Sequence, residues 1–288
     1  MDGILTYWYL LPTSIVIATI AMSSGIGGAV FFSPLFLLAL ALEPTVAIGS
    51  ALITEFFGFS SGVYAYRKSR LIDYKLGMNL LMFSIPVAII GSLVADYFDP
   101  QILKAIFASG IIFIGWQLYS SYRQEEKEKM DQSVKEDFKD NYESSLTDNE
   151  GNVYHYTICN KQLGRFFALI GGFFLGMISV GLAELQEYHL VGRCRVPARV
   201  AVATSVFVVV ITVLVASVGH ISHFVTESDP SNLQTVLRVV IFTVPGVIIG
   251  GQLGPLLQKR INPDIMKVSI SVLFVVIGVL LLVTLLNG

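Results

Sequence analysis

The sequence has little charge for its length. Only 14% of its 288 residues are Asp, Glu, Lys or Arg, while 54% are hydrophobic, and a soluble domain has about 25% charged residues. The mean hydropathy is +0.70. Apolar stretches such as residues 8–22 and 268–286 approach the roughly 20 residues that cross a bilayer. This composition excludes a soluble globular domain and predicts an all-α polytopic membrane protein embedded in lipid, without a nucleic-acid partner.

Cysteine and enzyme motifs are also scarce. The two cysteines, Cys159 and Cys194, lie in polar segments that we expect in the cytoplasm, where thiols stay reduced, so no disulfide is expected. Neither cysteine has the Cys or His spacing of a metal site. The sequence contains no H-E-x-x-H, no phosphate loop ending in G-K-[ST] and no G-x-S-x-G. We therefore expect no enzyme, metal or cofactor.

What the sequence does contain is a duplication. The motif I-P-V-A-I-I-G at residues 85–91 returns as V-P-G-V-I-I-G at residues 244–250. The glycine-rich residues 25–28 also have a counterpart at residues 179–182. A repeated apolar unit is typical of transporters whose site lies between the copies. We predict a first repeat at residues 1–122, a charged linker at 123–162 that is loose around 144–152, and a second repeat at 163–288.

Each copy is predicted to contain one broken apolar stretch and three ordinary spans. The broken stretches are residues 8–42, interrupted at 23–28, and residues 163–191, interrupted near 179–181. The ordinary spans are predicted at residues 45–66, 76–95, 102–119, 198–220, 233–257 and 265–286. The broken stretches are either re-entrant hairpins or pairs of short spans.

The distribution of basic residues favours broken stretches that return to the side where they began. In that arrangement, all of the 19 Lys and Arg residues except Lys104 and Arg238 share one side. If each broken stretch crossed only once, the basic residues of positions 193–199 and 259–267 would move across. The positive-inside rule therefore predicts inverted repeats, a cytoplasmic linker and both termini outside the cell membrane.

The glycine breaks are the first candidates for a binding site. Unwound glycine segments expose helix N-termini, whose N–H groups carry partial positive charge. In inverted repeats two such tips approach one midplane point and form an anion site. The alternative is that the glycines only permit close helix packing. The candidate tip residues are Ser24, Gly25, Gly27, Gly28, Ser179 and Gly181.

Hydroxyl and carboxyl groups follow the tips. The hydroxyls of Ser50, Thr54, Thr204 and Ser205 would bind an oxyanion, or else bond their own or a neighbouring helix. Glu55 and Glu184 lie in apolar segments, where a carboxylate is costly unless it is functional. Protons are the predicted coupling ion for these two residues. The alternatives are a pairing of Glu184 with nearby arginines and a protonated helix–helix hydrogen bond at Glu55.

Taken together, these motifs resemble the TauE/SafE sulfite exporter family. The resemblance rests on S-G-I-G-G at residues 24–28, A-I-G-S at 47–50, T-E-F-F-G at 54–58 and A-V-A-T-S at 201–205. It covers nearly the whole chain except the linker, although Leu182 stands where a glycine is common. The resemblance implies transport of small sulfur-containing anions such as sulfite or organosulfonates, driven by an ion gradient.

The sequence therefore predicts a secondary transporter of a small anion that works by alternating access between two repeats. The alternative is a passive anion channel or uniporter, which would share the glycine tips but would not need the carboxylates.

Overall fold

The computed structural model describes residues 7–95, 97–132, 144–226 and 230–286. Within these residues the chain forms helices and one β-hairpin. In chain order the elements are α1 (Leu10–Ser24), α2 (Ala29–Pro34), α3 (Pro44–Lys68), α4 (Tyr74–Ala95), α5 (Pro100–Gln132), β1 (Ser144–Thr147), β2 (Val153–Tyr156), α6 (Lys161–Ile178), α7 (Leu182–Glu187), α8 (Ala198–Thr226), α9 (Pro230–Gln258) and α10 (Pro263–Leu286).

Among the described residues, seven helices are long and apolar enough to cross a membrane. Six of them, α3, α4, α5, α8, α9 and α10, correspond to the predicted ordinary spans. The seventh is α6, the first arm of the second broken stretch, with 18 residues. The prediction of an all-α polytopic membrane fold is confirmed.

Both predicted helix breaks are present. Helix α1 ends at Ser24, and α2 begins at Ala29 and continues as a π-helical turn, Leu35–Ala39. Helix α6 ends at Ile178, and α7 continues as the π-helical turn Tyr188–Arg193. We call residues 25–28 the first tip and residues 179–181 the second tip. Each tip contains a glycine in a positive-φ conformation, Gly25 at 78° and Gly181 at 117°, which side chains disfavour.

The second broken segment returns to the point where it began. Cys159, just before α6, forms a disulfide with Cys194, just after the π-helical turn, and their Cα atoms lie 5.1 Å apart. The expectation that these cysteines form no disulfide was wrong, because the segment between them folds into a hairpin that closes on itself.

The first helix of each copy packs on a helix of the other copy. Helix α1 packs on α9, and its counterpart α6 packs on α4. A Cβ atom on Gly250 would lie 2.6 Å from the carbonyl oxygen of Ile15, and one on Gly176 would lie 2.1 Å from that of Ala88. Glycine is thus required at both interfaces, because the backbones are in contact.

The order of these contacts gives the helix directions. Gly246 approaches Leu11 and Gly254 approaches Met22, so α1 and α9 run in the same direction. Gly172 approaches Ser84 and Gly176 approaches Ala88, so α6 and α4 also run in the same direction.

The charged linker contains an ordered β-hairpin where a loose segment was expected. Strands β1 and β2 pair antiparallel, with Leu146 opposite Tyr154. The turn between them binds three helix ends. Asn149 N–H donates to the carbonyl oxygen of Ser69 at 3.2 Å, Asp148 pairs with Arg199 at 3.4 Å, and Glu150 pairs with Lys259.

These contacts place the C-terminal ends of α3 and α9 and the N-terminal end of α8 on one face. We call it the basic face, defined by Arg67, Arg199 and Lys259. The charge pattern predicted that these ends share a side of the membrane. A single crossing by the broken segments would have separated Ser69 from the other two ends.

Asp148 organises the hairpin turn. Its carboxylate accepts hydrogen bonds from the backbone and side-chain amides of Asn152, the backbone of Glu150 and the hydroxyl of Tyr154. The bonds from Asn152 contribute most to lowering the pKa of Asp148, which falls to about 2. Because this pKa is depressed, the carboxylate stabilises the docked hairpin above the unfolded pKa of about 3.9. That stability is lost as the pH falls towards 2.

We predict that Asp148→Asn loosens the hairpin at neutral pH, because the amide cannot accept this set of bonds. The measurement is hydrogen–deuterium exchange of residues 144–156, which should become faster. The control is Glu150→Gln, whose pair with Lys259 is half exposed, and exposed pairs contribute little. Equal protection in Asp148→Asn and the unaltered protein would contradict the role of Asp148.

We also predict that Gly176→Ala destabilises the protein, because the new Cβ would overlap the backbone of Ala88. Overpacking of this kind costs about 1–3 kcal/mol. The control is Gly110→Ala on α5, where an added Cβ would have only Ile178 as a near neighbour, at 3.6 Å. Thermal unfolding in detergent should show a lower midpoint for Gly176→Ala alone.

Candidate functional site

The two tips meet inside the protein. The Ser33 hydroxyl of α2 lies 2.9 Å from the Ser179 hydroxyl of the second tip. The Gly27 N–H of the first tip donates a hydrogen bond to the Glu184 carboxylate of α7 at 3.0 Å. The predicted approach of the two glycine breaks is therefore present in the structure.

Glu184 connects both tips with one carboxylate. Its Oε1 accepts the bond from Gly27, and its Oε2 accepts a bond from the Gly181 N–H at 2.9 Å. Only 2% of the residue is exposed. Backbone N–H groups inside a membrane protein must find an acceptor. A carboxyl group thus already lies where the two unwound segments point their donors.

Glycine is needed at several positions around the two tips. At the first tip, a Cβ on Gly25 would lie 2.7 Å from Val202 of α8. At the second tip, Gly181 has φ of 117°, which few side chains tolerate. A Cβ on Gly171 of α6 would lie 2.7 Å from Leu182, so α6 and the start of α7 are in backbone contact.

A second carboxyl group faces the same glycine. A Cβ added to Gly27 would lie 3.1 Å from Glu55 Oε1 and 3.2 Å from Glu184 Oε1. Glu55 lies on α3 and is also buried. Its carboxyl points towards the backbone of Gly28 and Ala29, without a hydrogen bond of ordinary geometry. The two acidic residues predicted from the sequence thus belong to one cluster around Gly27.

The four predicted hydroxyl groups divide into two kinds. The Thr54 hydroxyl bonds the Thr243 hydroxyl of α9 at 2.8 Å, and the Thr204 hydroxyl accepts a bond from the Asp73 N–H at 3.0 Å. Both hydroxyls hold helices together. The hydroxyl oxygens of Ser50 and Ser205 are buried, and neither has a hydrogen-bond partner among the described residues.

The remaining candidates near the first tip, Ser24 and Gly28, contact neighbouring residues. The Ser24 hydroxyl donates to the Ala21 carbonyl at 3.0 Å and accepts a weaker bond from the Ile26 N–H. Gly28 lies against Phe59 and Glu55.

A small cavity connects the basic face to the first tip. Its volume is about 150 Å³. It is bounded by the ends of α1, α8, α9 and α10, and its polar lining consists of Ser23, Ser24, Glu187, Arg199, Gln258 and Lys267. The cavity beside the first tip thus holds two basic side chains and one acidic side chain.

Two further residues belong to this region and were not predicted. Ser33 bonds Ser179, as described above. Gln186 lies on α7 and is 2% exposed, and neither its amide nitrogen nor its oxygen has a hydrogen-bond partner in the part of the chain that the structure describes. The available sequence clue was its position two residues after Glu184 in the same short arm.

Cys159, His189 and Cys194 form a separate cluster outside the tips. Among the described residues, their ligand atoms lie within 4.8 Å of one another, close enough for a metal ion. His189 was not expected beside these cysteines. In the disulfide, however, neither sulfur is a thiolate, so the pair is not in the form that binds metals.

Comparison with known protein families gives a match over nearly the whole chain. The family model described as sulfite exporter TauE/SafE matches residues 10–281. The chain belongs to this family. It is therefore a multi-pass membrane transporter rather than an enzyme, and the predicted resemblance is confirmed.

Two relatives match this chain along nearly their whole length, and both are described as probable membrane transporters. The probable membrane transporter protein YunE of Bacillus subtilis is 25% identical over 281 residues, covering 95% of this chain and 96% of its own. The probable membrane transporter protein MJ0441 of Methanocaldococcus jannaschii is 21% identical over 284 residues, covering 95% and 94%. No solved structure matches the chain.

Proposed function

We propose that this transporter moves small sulfur-containing anions, such as sulfite or organosulfonates, across the cell membrane by alternating access with protons as the coupling ion. The family description, sulfite exporter, supports the substrate class. The geometry around Glu184 supports the mechanism.

The single observation that carries the proposal is the shared carboxylate of Glu184. It accepts N–H bonds from both tips, at 3.0 Å from Gly27 and 2.9 Å from Gly181. A sulfite or sulfonate group also offers several oxygen acceptors around one negative centre. In the proposal, the Glu184 carboxylate occupies the two N–H donors that would otherwise bind the substrate. Glu184 and the substrate therefore compete for the same donors.

Competition of this kind couples the anion to a proton. A hydrogen bond to a charged group contributes about 1.5–3 kcal/mol, so the ionised carboxylate holds both tips firmly. Protonation removes its charge and weakens both bonds, and the substrate oxyanion then takes the two N–H groups. Binding of the anion therefore requires a proton on the acid.

Glu55 completes the proton path in this proposal. Its carboxyl and that of Glu184 both lie close to Gly27, in a region from which water is excluded. Two negative charges so close in such a site repel strongly, which favours one shared proton. Glu55 accepts the proton when Glu184 returns to the tips.

The partnerless donors are proposed to bind the oxygens that the tips leave free. Ser50, Ser205 and Gln186 are buried and have no hydrogen-bond partner among the described residues. Buried polar groups in proteins are nearly always paired, so a ligand that pairs them is favoured. Thr54 and Thr204 are left out of the proposed site because their hydroxyls hold helices together.

We further propose that the two copies are inverted and rock against each other during transport. Helix α1 runs with α9 and α6 runs with α4, while the short connection between α3 and α4 makes those two helices antiparallel. Contacts of Gly58 with Val247 and of Gly62 with Gly251 make α3 parallel to α9. Helix α1 therefore runs opposite to α6, as inverted copies require. The basic face is then cytoplasmic, with the linker, and both termini are outside.

We predict that Glu184→Gln abolishes proton-coupled transport, because an amide carries no titratable proton. In proteoliposomes with an imposed pH gradient, the unaltered protein should accumulate sulfite against its own gradient. Glu184→Gln should lose this accumulation. The control is Glu43→Gln, an exposed residue before α3, which should transport normally.

Uphill sulfite transport by Glu184→Gln with unaltered pH dependence would remove this residue from the mechanism. If the unaltered protein only lets sulfite run down its gradient, it is a passive channel or uniporter.

The orientation is tested by single cysteines in a chain whose native cysteines are replaced by serine. Lys68 lies at the basic end of α3, and Tyr97 is 89% exposed beyond the opposite end of α4. In intact cells, an impermeant maleimide should label Tyr97→Cys and not Lys68→Cys. Labelling of Lys68→Cys alone would reverse the proposed orientation.

A further inference from the structure

The disulfide joins the two ends of the hairpin that carries Glu184. Cys159 precedes α6 directly, and Cys194 follows the π-helical turn of α7. The covalent loop between them therefore contains α6, the second tip and α7. A bond at this position restrains the separation of α6 and α7 at their base.

The first broken segment has no such restraint. The sequence contains only two cysteines, and both belong to the second hairpin. The bond is therefore not needed to build a helix hairpin of this type, since α1 and α2 form one without it.

A cavity beside the disulfide contains two lysines, Lys75 and Lys161, and we call it the basic cavity. It has a volume of about 320 Å³ and is lined by Ile158 and Lys161, which flank Cys159, and by His189, whose ring contacts Cys194. Lys75 and Asn79 line it as well, together with the carboxylate of Asp73. Both cysteines are half-buried rather than enclosed.

One of the two sulfurs has a ring nitrogen beside it that can hydrogen-bond a thiolate. His189 Nε2 lies 3.7 Å from the Cys194 sulfur. Arg193 and Arg195 are its neighbours in sequence. Positive charge near a cysteine stabilises its thiolate and makes it the better leaving group in exchange reactions.

From this geometry we propose that Cys159–Cys194 is a reversible covalent latch, opened by an anionic sulfur nucleophile that arrives through the basic cavity. The nucleophile attacks Cys159, the Cys159–Cys194 bond breaks, and Cys194 leaves as a thiolate beside His189. A new sulfur–sulfur bond then joins Cys159 to the nucleophile.

Two nucleophiles share this chemistry. A thiolate forms a mixed disulfide, and a second thiolate then reduces it to the free Cys159 thiol while the two reagent thiols become a disulfide. Sulfite forms an S-sulfonate on Cys159 in one balanced step, without a further oxidant or reductant. The physiological relevance of sulfite rests on the proposed substrate class, whereas the thiolate reaction does not.

Opening the latch frees the arm that carries Glu184. With the bond intact, α7 is held to the base of α6, and with the bond open its position depends on packing alone. The latch thus lets the concentration of a sulfur nucleophile set how readily the second hairpin moves.

The chemistry is tested on the purified full-length protein by intact mass and peptide mapping under non-reducing conditions. Sodium sulfite should add one sulfite group at Cys159 and leave Cys194 open to alkylation. Glutathione should open the same bond, whereas sodium sulfate, which is not a nucleophile of this kind, should do neither. The Cys159→Ser/Cys194→Ser variant should lose the reaction altogether.

Three results would overturn the latch. The first is two free thiols or a bound metal in protein purified in air. The second is a disulfide that neither sulfite nor glutathione opens. The third is an adduct on Cys194 instead of Cys159, which would refute the leaving-group assignment.

A separate measurement tests whether the disulfide restrains the motion of the second hairpin. Hydrogen–deuterium exchange of residues 182–193 should become faster after glutathione treatment, and the double serine variant should match the opened protein and lose this response. Unchanged exchange after complete opening would show that the bond restrains nothing. Because this measurement involves no transport, it stands even if the proposed transport mechanism fails.

Discussion

The hydrogen-bonded carboxylate of Glu184 is the constraint on which the centre of this protein depends. Two helices are broken by glycine within the membrane-embedded core, and each break leaves a backbone N–H without its helical acceptor. Inside a bilayer such a group must be satisfied by the protein itself. Glu184 satisfies one from each copy, Gly27 and Gly181, so a single side chain joins the two tips.

Close helix packing makes this shared contact possible. Helix α1 lies against α9 and α6 lies against α4 with their backbones touching at glycines such as Gly250 and Gly176. Each broken segment is therefore supported by the opposite copy. Hydroxyl pairs join two further interfaces, with Thr54 of α3 bonding Thr243 of α9 and Ser84 of α4 bonding Thr212 of α8. The interfaces that bring the tips together contain few charged residues.

The sequence predicted the positions of the helices better than the contacts between residues far apart in the chain. Hydropathy located the six ordinary spans, and glycine clusters located both breaks, because these are local properties of the chain. The double role of Glu184 depends on Gly27, which is 157 positions away, and no local pattern reports such a contact. Thr54 and Thr204 illustrate the same limit, since a hydroxyl that binds a ligand and one that bonds a helix look alike in sequence.

The hairpin and the disulfide were missed for a different reason. The charged composition of the linker concealed the alternation of V-Y-H-Y at residues 153–156, which is typical of a strand. The cysteines were judged by their expected compartment instead of by the fold, although a segment that returns to its starting side must bring its two ends together.

The two copies differ in the acidic residues at the place where they meet. Gly27 and Gly181 occupy matching positions, yet the residue matching Glu184 in the first copy is Val30, and the residue matching Glu55 in the second copy is Val209. Each copy thus supplies one tip and one carboxyl group, but the carboxyl groups come from different elements, α7 and α3. Both acids consequently converge on the first tip at Gly27, whereas Glu184 is the acid that bonds the second tip. A motion that separates the copies must break the bond to Gly27 while the bond to Gly181, within the same hairpin, can persist. The acid would then travel with the second hairpin, so the restraint at the base of that hairpin acts on the element that carries the charge.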